Sequence, residues 1–239
     1  MEMFITITKR HILVSLAVLV GAVLVLGTVL GVRAATAVRP YRDMTIVIDA
    51  GHGGRDGGMT GVNTGIRESD LNLAIARSLR HFFVLHGYNV VMTRETHAGL
   101  YGNAREGQRK AADFERRRQI IERASPDLVI SIHLNSYPRP SVRGGQVFFS
   151  PNACEGATAI ANSIQSSLNS KLEATNKSPA KRDYFMLQCT QFASVLVEGG
   201  FLSSPLDEAL LVTAAYQERL AYAIFLGVHT LVETGAWPF

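Results

Sequence analysis

Ile46-Val47-Ile48-Asp49-Ala50-Gly51-His52-Gly53-Gly54 carries an apolar run into a glycine-rich turn built around one histidine. Two further stretches have the same form. Leu128-Val129-Ile130-Ser131-Ile132-His133-Leu134-Asn135 ends in a histidine and polar residues, and Ser194-Val195-Leu196-Val197-Glu198-Gly199-Gly200-Phe201 ends in a glutamate and two glycines. Buried strands of an open α/β sheet read as near-continuous apolar runs, and ligands gather at their carboxyl ends. Three such strands would bring two imidazoles and a carboxylate to one rim.

Between these strands the apolar spacing turns helical. Leu71, Ile75, Leu79, Phe82 and Phe83 predict a helix over 69–85, with Ser69 as N-cap and Gly87 as stop. Further helices are expected over 110–124 (inner face Phe114, Ile120 and Ile121), 157–172, 205–211 and 215–234. Strands are expected over 44–49, 88–93, 128–133, 146–150 and 195–198. This alternation predicts a single α/β domain over 44–235 with a mostly parallel sheet and helices on both faces.

The chain has 239 residues and a formal charge of +4. Residues 1–42 hold Lys9, Arg10, Arg33, Arg39 and Arg42 against Glu2 alone. From Asp43 onward 19 bases meet 19 acids, so the predicted domain is neutral and nucleic acid is excluded as a partner. The excess flanks an uncharged run, 12–32, long enough to cross a bilayer as a transmembrane anchor. The organisation expected is a short tail (1–11), an anchor (12–32), a tether (33–43) and the domain. Ala35-Thr36-Ala37 offers an alternative as a cleavage site after Ala37. Lys9 and Arg10 before the run and Arg33, Arg39 and Arg42 after it leave the orientation open. Cys154 and Cys189, the only cysteines, are too few for a disulfide framework and read as buried apolar residues.

His52, between glycines and directly after a strand, permits close approach of a ligand, and Asp49 nearby could fix its tautomer. The turn matches neither dinucleotide nor Walker phosphate patterns. Glu198 would be costly to bury without a partner such as a metal or substrate. Glu68, taken alone, suits the start of a helix, where the dipole favours an acid. Two neutral imidazoles and a carboxylate with an open position describe a catalytic zinc site, and a second carboxylate can move protons. His11, His81, His86, His97 and His229 lie in helical or loop contexts and read as structural or solvated.

At these residues the chain resembles the zinc N-acetylmuramoyl-L-alanine amidases, which cut the amide joining muramic acid to the stem peptide of peptidoglycan. The resemblance spans about Met44 to Glu233. It rests on Ile48-Asp49-Ala50-Gly51-His52-Gly53-Gly54, Arg67-Glu68-Ser69-Asp70, Ser131-Ile132-His133-Leu134-Asn135 and Val197-Glu198-Gly199-Gly200-Phe201-Leu202-Ser203. It implies a sheet of about six strands, one Zn2+ held by His52, Glu68 and His133, and Glu198 as the catalytic acid/base. Within the family the chain is most similar to the germination-specific spore-cortex members, through its size, single apolar span, lack of wall-binding repeats and Arg109-Lys110-Ala111-Ala112-Asp113-Phe114. That likeness implies a role in forming muramic δ-lactam, an accessory lipoprotein or deacetylase as partner, and a catalytic domain outside the cytoplasmic membrane. Gly199-Gly200 departs from the Val-Gly or Thr-Gly more usual after the glutamate. A non-catalytic peptidoglycan-binding protein, a general cell-wall amidase of growth or division, and a different zinc hydrolase stay open as alternatives.

Overall fold

The computed structural model describes residues 43–153, 155–172 and 176–239, together with 9, 14–16, 18–23 and 25 of the amino-terminal stretch. Contacts divide the chain into two units, Met1–Arg39 and Pro40–Phe239. In the first, the described residues of the apolar run are helical. About half of the predicted span 12–32 lies outside the described residues, and among the described residues no helix is long and apolar enough to cross a membrane.

The second unit is an α/β domain around six strands: β1 (Thr45–Ala50), β2 (Asn89–Met92), β3 (Leu128–Asn135), β4 (Gln146–Phe149), β5 (Ala180–Lys181) and β6 (Ser194–Phe201). Their order is β2-β1-β3-β6-β4-β5. β2, β1, β3 and β6 are parallel, whereas β4 pairs antiparallel with β6 and parallel with β5. The helices are α1 (Glu68–Leu85), α2 (Arg109–Ala124), α3 (Glu155–Lys171), α4 (Phe185–Gln188), α5 (Pro205–Leu211) and α6 (Ala214–Glu233).

Strand alternation divides the core between two faces. Ile46, Ile48, Ile130, Ile132, Val195 and Val197 pack with residues of α1, α3 and α6 in the larger cluster. Each fully buried Ile or Phe there contributes roughly 1.5–3 kcal/mol. Gly227 of α6 lies so close to Ile164 of α3 that a Cβ would meet the Ile164 Cα at 2.5 Å, so glycine sets the spacing of these two helices. Val47 and Val129 face the other way, against Ile121 of α2 and Met186 of α4. This thinner layer carries Asp49, Ser131 and His133, the residues that alternate with the larger core.

Several boundaries differ from expectation. β3 and β6 run past His133 and Glu198, because their backbones keep pairing through a bulge to Asn135 and Phe201. Bulges of this kind re-aim side chains at the rims of sheets. α1 starts at Glu68, and Ser69 is not its cap: Arg67 holds the extended N-cap position without a side-chain hydrogen bond. The inner face of α2 buries Arg117 beside Ile121, whereas Phe114 is half-buried. A guanidinium is tolerated there because Asp49 and Asp113 both pair with it. β5 and α4 fall in segments too short or too polar to show periodicity. Cys189 is half-buried and burial pushes its thiol up to about 11, as suits an inert cysteine. Cys154, and with it any pairing of the two, lies outside the described residues.

Candidate metal centre and active site

β1 ends at Ala50, and the turn that follows places His52 at φ 61, a left-handed conformation rare outside glycine. Two buried arginines hold this turn. Arg117 donates to the carbonyls of Ala50 and His52 at 2.8 and 2.7 Å, and Arg94 donates to those of Ala50 and Gly51 at 2.8 and 2.9 Å. The strained backbone is thus fixed by four charge-assisted hydrogen bonds.

Three predicted residues converge. The loop 53–67 folds back so that Glu68, at the head of α1, reaches both histidines. Glu68 Oε1 lies 3.3 Å from His52 Nε2 and 3.0 Å from His133 Nδ1. One potential ligand atom from each of the three lies within 4.8 Å of the others. Gly51 makes room for this: a Cβ there would run into the His133 ring. Gly58, at φ 66, is pressed in the same way against Glu68 and His52.

Glu68 is buried, which works to raise its pKa. Hydrogen bonds and charge from His133 and His52 outweigh that and hold the carboxyl well below the usual range. It also accepts from the backbone N–H of Met59 and Leu134 at 2.9 and 3.1 Å, and from Asn72 Nδ2 at 3.1 Å. Burial works to depress His52, yet Asp56 and Glu68 raise it to about 9. Asp56 Oδ2 stands 2.9 Å from His52 Nδ1, close enough for ion pairing but not aligned as a hydrogen bond. Asp56, four residues on, therefore takes the orienting place that the sequence suggested for Asp49. Asp49 points into the opposite network: it accepts from Thr93 and Ser131 at 2.7 and 2.6 Å and pairs with Arg117.

Glu198 sits directly opposite His133 in the β3–β6 pairing. It is 8 % exposed, and its Oε2 has no hydrogen-bond partner. Burial raises its pKa to about 7, against the pull of His133 and with the push of Glu68. The donor set of two imidazoles and one carboxylate fits zinc, and an orphaned carboxylate oxygen beside it fits a group awaiting a proton.

The family of N-acetylmuramoyl-L-alanine amidases matches residues 46–230. This protein belongs to that family. It is accordingly a hydrolase that cuts the amide between muramic acid and the stem peptide of peptidoglycan. A germination-specific N-acetylmuramoyl-L-alanine amidase of Bacillus subtilis is 35% identical over 193 residues, 79% of this chain and 80% of that one. The amidase LytC of the same organism is 28% identical over 79% of this chain and 35% of its own length. Among solved structures, the CwlD amidase of Clostridioides difficile, determined in complex with the GerS lipoprotein, superposes with a TM-score of 0.76 at 32% identity. The match covers 80% of this chain and 100% of that one.

The departure at Gly199 also has a structural reason in this amidase. A Cβ at Gly199 would meet Leu220 of α6 at 2.5 Å and Leu134 at 3.2 Å. Leucine side chains fill the space that a valine or threonine would take.

The sequence alone did not reveal Asp56, Asn72, Arg94 or Arg117. Asn72 had a signal, since it lies one helical turn after Glu68 on the buried face. The arginines had none for this role, because the turn carbonyls they hold, at Ala50, Gly51 and His52, lie more than 40 residues away.

Proposed function

We propose that this amidase is zinc-dependent, with His52, Glu68 and His133 holding the metal and Glu198 carrying the proton. The observation that carries the reading is the convergence of three ligand atoms on one side of a buried, unpartnered carboxylate. When bound, zinc supplies Lewis acidity that polarises the amide carbonyl and brings the pKa of water to about 7. The residues do the rest. Asp56 and the arginine-braced turn aim Nε2 of His52 at the site, and the left-handed turn keeps it there. Glu198, with its pKa near neutrality, takes the proton of the attacking water and returns it to the leaving alanine nitrogen.

The proposed setting is the outer side of the cytoplasmic membrane, where peptidoglycan lies, with 12–32 as anchor and 33–43 as tether. The germination-specific relative supports a role in the spore cortex, where removing stem peptides would precede deacetylation and muramic δ-lactam formation. The GerS complex of the CwlD amidase supports an accessory lipoprotein as partner.

Two measurements test this. Digestion of purified peptidoglycan should leave lactoyl groups without peptide and new L-alanine amino termini, at one zinc per chain. Mass spectrometry of cortex from spores lacking the protein should show muramic δ-lactam lost. New termini elsewhere in the peptide would overturn the reaction, and unchanged δ-lactam would overturn the cortex role.

A further inference from the structure

A cavity of about 410 Å3 opens beside the metal centre and includes His52 and His133 in its wall. Tyr101, Phe114 and Met186 make its apolar side, and acids and bases share the rest. Formally these charges balance, but pairing separates them. Three of the four acids already have partners, the exposed Asp56 among them. Asp49 and Asp113 are paired with Arg117, and Asp56 with His52.

The mouth is different. Arg55, Arg109 and Lys110 stand there against Glu106 alone. Glu106 lies 3.8 Å from Arg55 and 3.7 Å from Arg109, beyond hydrogen-bond reach of either. Among the described residues no carboxylate pairs with Lys110. Aromatic faces hold two of these cations in place: Arg109 is 5.6 Å from the Tyr101 ring centre and Lys110 is 5.7 Å from that of Phe114. Both residues open α2, whose N-terminus has no side-chain cap and adds its own positive potential.

The substrate of an amidase has two halves of different charge. The lactyl carboxyl of muramic acid is consumed in the scissile amide, so the glycan is neutral there. The stem peptide keeps free carboxylates. A cavity with spare cations at its mouth selects the second half.

We propose that Arg109 and Lys110, assisted by Arg55, bind a free carboxylate of the stem peptide, so that the peptide occupies this cavity while the scissile amide lies at the metal centre. The inference rests on the amidase reading and adds the residues that set substrate orientation and selectivity.

The test uses a stem tripeptide with free carboxyl groups and the same peptide with those groups amidated. Binding is measured by calorimetry to the zinc-loaded full chain carrying Glu198→Gln. The free-acid peptide should bind at least ~10-fold tighter, a difference that shrinks with salt. Arg109→Gln with Lys110→Gln should abolish the preference at unchanged zinc content, and Arg109→Lys, which keeps the charge, should retain most of it. Equal binding of the two peptides, or a preference that survives the double substitution, would overturn the subsite. Peptide release by the unsubstituted chain is followed in parallel. Loss of release with the preference intact would count against the catalytic reading and for the subsite.

Discussion

Glu198 faces His133 across the parallel β3–β6 pair, in the same register and on the same side of the sheet. One strand pairing therefore fixes the separation between a proposed ligand and the proposed proton carrier, with no loop between them. Glu198→Gln keeps the shape and removes the titrating proton. The chain should keep its zinc and lose at least ~10²-fold in kcat. Full activity in this variant, measured with metal content by mass spectrometry, would remove Glu198 from the reaction.

The pKa of Glu198 gives the sign of the pH profile. As a general base it must be ionised in the free enzyme, so kcat/KM should fall as pH drops through its pKa. Burial places that near 7 in the protein without metal. A divalent cation at His52, Glu68 and His133 would stabilise the carboxylate and draw the value lower. The acidic limb of the zinc enzyme should therefore lie below 7. A profile flat from pH 7 down to pH 4 would contradict the assignment.

Removing a ligand should separate from removing the base. His133→Ala should lose zinc and activity together, since two protein ligands do not make a structural or catalytic zinc site. Glu68→Gln should also weaken zinc binding, because it removes the carboxylate charge and leaves one acceptor oxygen where Oε1 takes the N–H of Leu134 and Oε2 that of Met59. Unchanged zinc in His133→Ala, read by equilibrium dialysis, would exclude it as a ligand.

The sequence disclosed the strands that carry His133 and Glu198 because β-strands buried on both faces leave apolar runs, and it disclosed α1 because its core face repeats every three to four residues. The place of Glu68 came only from resemblance. Its local context, the start of a helix, explains an acid equally well with no ligand at all, and only the fold of the loop 53–67 brings it to His133. Arg117 was hidden for a related reason. A charged residue among Arg116, Arg118 and Glu115 looks like solvated surface until the partner Asp49, on another element, is known. β5 and α4 are held by tertiary pairing and carry too few residues for a period.

The Asp49–Arg117 pair makes its own prediction. Burial would raise the Asp49 pKa, but Arg117, Ser131 and Thr93 bring it down from 3.8 to about 2. A carboxyl depressed on folding stabilises above its unfolded pKa, and that contribution is lost as pH falls. Stability worth about 2 kcal/mol should thus be present above pH 4 and disappear toward pH 2. Arg117→Met leaves Asp49 buried and unpaired and should cost about 3–5 kcal/mol at neutral pH. It should also loosen the His52 turn and weaken zinc about 10–100-fold. Urea melts at pH 7 and pH 3, with zinc titrations, would read both, and equal stability of the two chains at pH 7 would refute the pairing.

Gly51→Ala offers the finest probe of the metal centre. Gly51 lies at the end of β1, where its backbone N–H donates to the Ile132 carbonyl at 3.0 Å. An alanine can keep that bond. What it cannot keep is the His133 ring, since the new methyl occupies the ring's place. The ring must rotate away from Glu68, and the three ligand atoms no longer converge. The fold should lose little, because the added carbon meets one side chain near the rim and no main-chain atom among its nearest contacts. Zinc affinity should fall by at least ~10-fold with Tm changed by only a few degrees. Retained affinity would mean that His133 binds nothing in the pose seen here, and a collapse of Tm would mean that Gly51 serves the sheet more than the metal.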